Sequence, residues 1–264
     1  MSTEMKMDSL KNLLRFPFRD PDWQSRFVIG IGLSLAGAFI PILPTLFVYG
    51  YVLQVMRQAI EGERVHLPEW DNWGDLGLDG LRATVVSLVY YLPGFVIMFG
   101  GMAIYMVVPF AFPLLFGFGG EDQTLSLAFP FLLLAGMAIM FLAMFVGMVV
   151  TYVGMGLLPA ALGHTVVHRE VSAGFRLRQI WALIRVNMVG YFAAWVIVAG
   201  LGAMLYMVVM MAYMAVFLVF LFPLVMILIM PVSFYVQLVM AALFGQTYRE
   251  SVEILSAEDP FILD

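Results

Sequence analysis

The chain has 264 residues, of which 63% are hydrophobic and 12% charged. Soluble domains carry about 25% charged residues, so a soluble fold would lack the polar surface to cover this much apolar side chain, and lipid is the solvent that suits it. The absence of cysteine excludes disulfide frameworks, thiolate metal sites and cysteine nucleophiles, and a net charge of -5 gives no reason to expect a nucleic-acid partner.

Residues 1–26 form a polar segment with Lys6, Lys11, Arg15, Arg19 and Arg26. No small-residue cleavage site follows a short apolar core, so no signal peptide is read. A crossing of the ~30 Å hydrocarbon core needs about 20 apolar residues. The first apolar stretch, 27–55, contains Pro41 and Pro44 in I-P-I-L-P. Proline removes a backbone donor and clashes with the preceding turn, so this stretch reads as one kinked span or as two short helices. Residues 56–84 form a polar, interfacial segment. Residues 85–109 are one uncharged span, 110–124 a loop with Glu121 and Asp122, and 125–158 a second span. Residues 159–187 read as an interfacial helix. Residues 188–244 are uncharged and long enough for two spans, with a turn placed near Met210–Ala215, and 245–264 form a tail.

Lysine and arginine flanking membrane helices favour the cytoplasmic side. The basic residues fall in 1–26, in the segment with Arg57, Arg64 and Arg82, and in the segment with Arg169, Arg176, Arg178 and Arg185, while 110–124 has none. These three segments, and both termini, are therefore expected on the cytoplasmic face of the plasma membrane. Both ends of 27–55 are then on one side, which favours a hairpin broken at Pro41–Pro44, spanning or re-entrant. The expected fold is all-α: a polytopic transmembrane bundle of four spans, preceded by a proline-broken helical hairpin and joined by cytoplasmic interfacial helices. The two halves also read as weak parallel repeats, each an apolar stretch, a basic aromatic segment and another apolar stretch.

Chemistry-bearing residues concentrate in the polar segments. In Leu67–Arg82, Trp70 and Trp73 suit a membrane interface, and Asp71 or Asp75 can cap a following helix. If the run is helical, Asp71, Asp75 and Asp79 share one face. Such a face is a simple solvated one or a Ca²⁺ or Mg²⁺ site, and the calcium-loop spacing is absent. In Phe175–Asn187, the residues Phe175, Ile180, Trp181 and Ile184 can share an apolar face, with Arg178 and Arg185 on the polar one. With Arg176, this reads as an interfacial connector or as a docking surface for a partner or anionic lipid. His164 and His168, four apart, have metal-ligand spacing but no H-E-x-x-H acid between them, and read as interfacial histidines. Ala143, Gly147 and Thr151, and the pair Gly190 and Ala194, are small residues at four-residue spacing that suit close helix packing.

Other signals are missing. Ala83–Gly120 and Val186–Tyr248 contain no Asp, Glu, Lys, Arg or His, which argues against ion-coupled transport. Neither a phosphate-binding loop nor a nucleophile elbow is present. No metal, cofactor or catalytic residue is assigned.

The runs F-P-F-R-D-P-D-W (Phe16–Trp23), I-P-I-L-P, G-Y-V-L-Q-V-M-R (Gly50–Arg57) and G-E-R-V-H-L-P-E-W-D-N-W-G-D-L-G-L-D-G-L (Gly62–Leu81) together resemble a family of bacterial and archaeal membrane proteins, the domain of unknown function numbered four-zero-one-three. The resemblance is strong in the N-terminal third and rests on hydropathy elsewhere. It implies a polytopic membrane protein and supplies no activity. The leading expectation is a non-enzymatic scaffold or accessory subunit. It would contact membrane lipids and either a homo-oligomer or a membrane-protein partner through Trp70, Asp71, Trp73, Asp75, Arg176, Arg178, Trp181 and Arg185. Transport of an uncharged or lipid-like substrate is the alternative, and an interfacial lipid enzyme using Asp71, Asp75 or His164 is a third.

Overall fold

The structure is a computed structural model and describes residues 11–40, 42–116, 123–214 and 222–258. Among them there is no β-strand. Seven helices follow a short 3-10 turn at Phe16–Phe18: α1 (Trp23–Phe39), α2 (Leu43–Glu61), α3 (Trp73–Phe116), α4 (Gln123–His168), α5 (Leu177–Val186), α6 (Met188–Met214) and α7 (Phe222–Glu258). Four of these are long and apolar enough to cross a membrane, over Trp73–Ala111, Phe129–His168, Met188–Met211 and Ile229–Ala257. The protein is an all-α membrane protein.

Local chemistry sets the helix ends. The 27–55 stretch is two helices, parted between Phe39 and Leu43, with Pro44 in the first turn of α2 where its missing donor costs nothing. Pro41 lies outside the described residues. Each helix recruits polar flanking residues, so α2, with 19 residues, is about 28 Å long. At the far end of α2, Gly62 adopts φ 75°, the left-handed conformation that favours glycine, and Glu63 N–H donates to the Gln58 carbonyl at 3.0 Å. Asn72 starts α3: its Oδ1 accepts the Asp75 N–H at 3.4 Å, and its Nδ2 donates to Asp75 Oδ2 at 2.6 Å. The cap is thus Asn72 rather than Asp71 or Asp75. Asn187 separates α5 from α6, its Oδ1 accepting the Gly190 N–H at 3.2 Å.

Several helices outrun their apolar stretches. The third helix has 44 residues, about 66 Å, more than twice a ~30 Å hydrocarbon core. It continues through Phe116, and α4 begins at Gln123, so the 110–124 loop is largely helix. Residues 117–122, with the loop's two acids, lie outside the described residues. Helix α6 is helical through Met214, so the turn expected near Met210–Ala215 does not fall at Met210–Met214, and Ala215 lies outside the described residues. Helix α7 runs to Glu258, so most of the 245–264 tail is helical.

The chain forms two compact units, Met1–Val86 with Pro159–Asp264, and Ser87–Leu158. The second is an antiparallel pair of helical segments. A Cβ at Gly94 would collide with Thr151 Oγ1, and one at Gly101 with Ala143 Cβ. Gly147 sits against Met98 and the Gly94 carbonyl. The stripe Ala143, Gly147 and Thr151 therefore lines this helix contact. The outer surface is bare hydrocarbon: Phe99, Phe141, Leu142 and Phe145 are each more than half exposed, as expected of side chains solvated by lipid.

In the first unit α7 is central, packing against α1, α2, α5 and α6. Its most apolar window is 44% buried, against 11% for each of the other three spans. Phe234, Leu238, Val239 and Phe244 of α7 are buried, with Tyr51 and Val55 from α2. Two glycines hold α2 and α3 together. A Cβ at Gly50 would strike the Leu76 carbonyl oxygen, and one at Gly80 the Leu46 carbonyl oxygen.

Candidate functional site

The polar groups of the first unit gather at three places. The first fastens the Leu67–Trp73 run. Tyr51 of α2 stacks on Trp70, with ring centroids 4.0 Å apart and planes 7° from parallel. Its hydroxyl donates to the Pro68 carbonyl at 2.9 Å. Trp70 Nε1 donates to the Arg26 carbonyl at 2.8 Å. The Arg26 guanidinium in turn donates to the Leu67 carbonyl, to Asp20 Oδ2 at 2.6 Å and to Glu69 Oε1 at 3.0 Å. One arginine thus ties the N-terminal segment and the α2–α3 connection to α1. Trp70 is 9% exposed, so it is a core residue and cannot be presented to a partner. Tyr51, nineteen positions earlier, offers the flat face that closes the indole in. Trp73 is 42% exposed and meets Phe47 edge-on.

The second place is Asp79. Its Oδ2 accepts from Arg57 Nη2 at 2.9 Å and its Oδ1 from Arg82 Nη1 at 2.6 Å. Asp79 is buried, whereas Asp71 and Asp75 are exposed. Asp71 precedes α3 and hydrogen-bonds the Asn72 N–H at 2.8 Å. The three carboxylates therefore do not form a shared face. No group of three or more His, Asp or Glu is placed to hold a metal ion among the described residues.

The third place centres on His164, which is 1% exposed. Its Nε2 lies 2.9 Å from Gln179 Oε1, and its Nδ1 lies 2.7 Å from the Tyr248 hydroxyl. An amide oxygen can only accept, so Nε2 carries the proton, and in the neutral ring Nδ1 accepts from Tyr248. The His168 ring lies 4.2 Å from that of His164, and its Nδ1 is 2.9 Å from the His164 carbonyl oxygen. Sequence spacing offered no route to Gln179 or Tyr248. The nearest signal is Gly163, where a Cβ would press to 2.6 Å from the Tyr248 ring. A cavity of about 420 Å³ lies beside these groups, reached also by Arg249 and Glu253. Tyr248→Phe strips the buried ring of its donor. The expected loss is about 1–3 kcal/mol, read as a lower Tm of the detergent-solubilised protein with an unchanged helical circular-dichroism spectrum.

Helix α5 divides differently from the expected pattern. Ile180 and Leu183 are fully buried, and Leu183 packs in a cluster with Tyr248 and Leu255. Trp181 and Leu177 are 53% and 57% exposed. Trp181 is therefore not on the inward apolar face with Ile180; it sits on a second apolar stripe that faces outward. Arg176, Arg178 and Arg185 are exposed. On α6, Ala194 is buried and Gly190 lies close to the Asn187 side chain.

No curated protein and no solved structure matches the chain. A family model does match, over residues 33–214. The match runs well beyond the N-terminal third where the sequence motifs are strongest, and it leaves Phe16–Trp23 outside. The chain belongs to the family described as protein of unknown function (DUF4013).

Proposed function

We propose that this protein is a non-enzymatic scaffold or accessory subunit of the plasma membrane, its basic segments and termini on the cytoplasmic side. The observation that carries this reading is the outward stripe of α5. An amphipathic helix normally spends its apolar face on its own fold. Here Ile180 and Leu183 do so, and Leu177 and Trp181 remain exposed beside Arg178 and Arg185. Trp73, Asp71 and Asp75 give a second exposed group with aromatic and acidic character. Meanwhile the named polar groups of the interior (Asp79, His164, Tyr51, Trp70) serve as fold contacts, which favours presentation over catalysis. Extraction in native nanodiscs followed by mass photometry should give a homo-oligomer or a stoichiometric complex, reduced to single chains by Trp181→Ala with Leu177→Ala. A lone monomer from native membranes would count against the proposal.

The break between Phe39 and Leu43 supports a second reading, in which the chain moves an uncharged or lipid-like substrate, since broken helices line many transport sites. Under that reading reconstituted vesicles would scramble a fluorescent phospholipid faster than protein-free vesicles. Under the scaffold reading the two rates would be equal.

A further inference from the structure

A second and larger cavity, of about 850 Å³, opens on the first unit. It is of the size that holds small organic ligands. Its walls come from three stretches far apart in sequence: the segment around the Phe16–Phe18 turn, the connection that follows α2, and α7. Each brings one arginine to the same space, Arg19, Arg64 and Arg249. The opposing charge is largely spent. Of the two lining carboxylates, Asp20 is held by Arg26 at 2.6 Å and also accepts the Asp22 N–H, leaving Glu63.

The arginines keep donors to spare. Arg249 uses Nε on Glu253 at 2.7 Å, and its Nη1 lies over Gly62. A Cβ at Gly62 would collide with that atom, and φ 75° would strain any other residue there. Arg19 uses Nη2 on Asn12 Oδ1 at 2.6 Å. Arg64 makes no ion pair among the described residues. Planar guanidinium forks match the oxygens of a phosphate group, and several around one anion give bidentate, charge-assisted contacts. Leu13, Phe16 and Val65 add apolar wall for the organic part of such a ligand.

From this arrangement we infer that the cavity is a binding site for a phosphate ester, with Arg19, Arg64 and Arg249 holding the phosphate oxygens. A phospholipid headgroup and a soluble phosphoester share this chemistry. The site is distinct from the outward stripe of α5 and stands whether or not that stripe docks a partner.

The test uses full-length protein in phosphatidylcholine nanodiscs. One arm titrates glycerophosphate by calorimetry. The other adds phosphatidylglycerol and reads retained lipid by native mass spectrometry after extraction. Saturable glycerophosphate binding assigns a soluble ligand. Preferential retention of phosphatidylglycerol without a glycerophosphate signal assigns a lipid headgroup. In either case Arg64→Gln should weaken binding about tenfold, and Arg64→Lys, which keeps the charge without the fork, should fall between. Arg64 is exposed, so its substitution leaves folding intact, and an unchanged elution profile verifies that. Arg249→Gln should match Arg64→Gln in size. Binding in neither arm, or equal binding by wild type, Arg64→Gln and Arg249→Gln, overturns the assignment.

Discussion

Gly50→Ala should be among the most damaging single-atom additions available to this protein. The new Cβ has no void to enter, because the Leu76 carbonyl oxygen, carbon and Cα already crowd that position. A flexible side chain could swing aside; a helix backbone cannot, so α2 and α3 must separate along the crossing. Gly80 lies one turn along and meets the Leu46 carbonyl in the same way, with the Gly50 nitrogen 3.1 Å from its would-be Cβ. The two sites are halves of one contact, so their effects should be strongly non-additive: once either alanine has parted the helices, the second costs little. Overpacking typically costs about 1–3 kcal/mol and occasionally more, and backbone against backbone places both variants at the upper end. Gly32→Ala is the matched control. Nothing lies within 4 Å of its added methyl, and alanine is the better helix former by about 1 kcal/mol. Thermal unfolding followed by size-exclusion chromatography should show early aggregation for Gly50→Ala and Gly80→Ala and no loss for Gly32→Ala. Equal melting of all three would mean that the α2–α3 approach is looser than described.

The same contact shows what a sequence can and cannot display. The spans were legible because a residue's cost in hydrocarbon depends on the residue alone: a stretch such as Ala83–Gly120, with no Asp, Glu, Lys, Arg or His, declares its solvent without reference to any partner. The hairpin was legible for a similar reason, since proline's missing donor acts locally. Gly50 and Gly80 were visible only as small residues, because what makes them indispensable is a carbonyl on another helix. The burial of Trp70 was hidden for the same cause. Its indole suits an interface when judged alone, and only Tyr51 and the Arg26 carbonyl turn it into a core residue. The end of α7 was hidden differently. Its last turns carry Arg249, Glu250 and Glu253, which read as tail, yet Tyr248, Ser251 and Leu255 recur at helical spacing and are buried. A hydropathy average dilutes that stripe, and a helical periodicity would have displayed it. The cavity arginines come from positions 19, 64 and 249, and no local pattern joins them.

Asp79→Ala should destabilise the first unit as much as the glycine variants, by an electrostatic route. Asp79 is the single carboxylate between Arg57 and Arg82, and its side chain is 8% exposed, against 19% and 31% for the arginines. Removing it leaves two guanidiniums facing each other without a counter-charge in a poorly hydrated place. Breaking a buried pair by deleting one partner costs about 3–5 kcal/mol, mostly because the remaining charge is stranded. Arg57 is the more exposed to this penalty, because its Nε is buried without a hydrogen-bond partner even in the intact cluster. The arginine deletions should therefore differ. Arg82→Gln removes the more solvated partner and leaves a balanced Arg57–Asp79 pair, so it should cost about 1 kcal/mol or less. Arg57→Gln leaves Asp79 with Arg82 at three-residue spacing on the same helix and loses the link to α2, so it should cost more than Arg82→Gln and less than Asp79→Ala. Replacing Asp79 and Arg57 together by Leu and Met should recover part of the loss, since apolar residues of similar size often substitute for a buried ion pair. The order of melting temperatures, wild type, Arg82→Gln, Arg57→Gln, Asp79→Ala, with the double variant above Asp79→Ala, tests the account in one series. If Asp79→Ala instead melts with wild type, the two arginines reach water freely, and the cluster is a surface feature that does not hold α2 to α3.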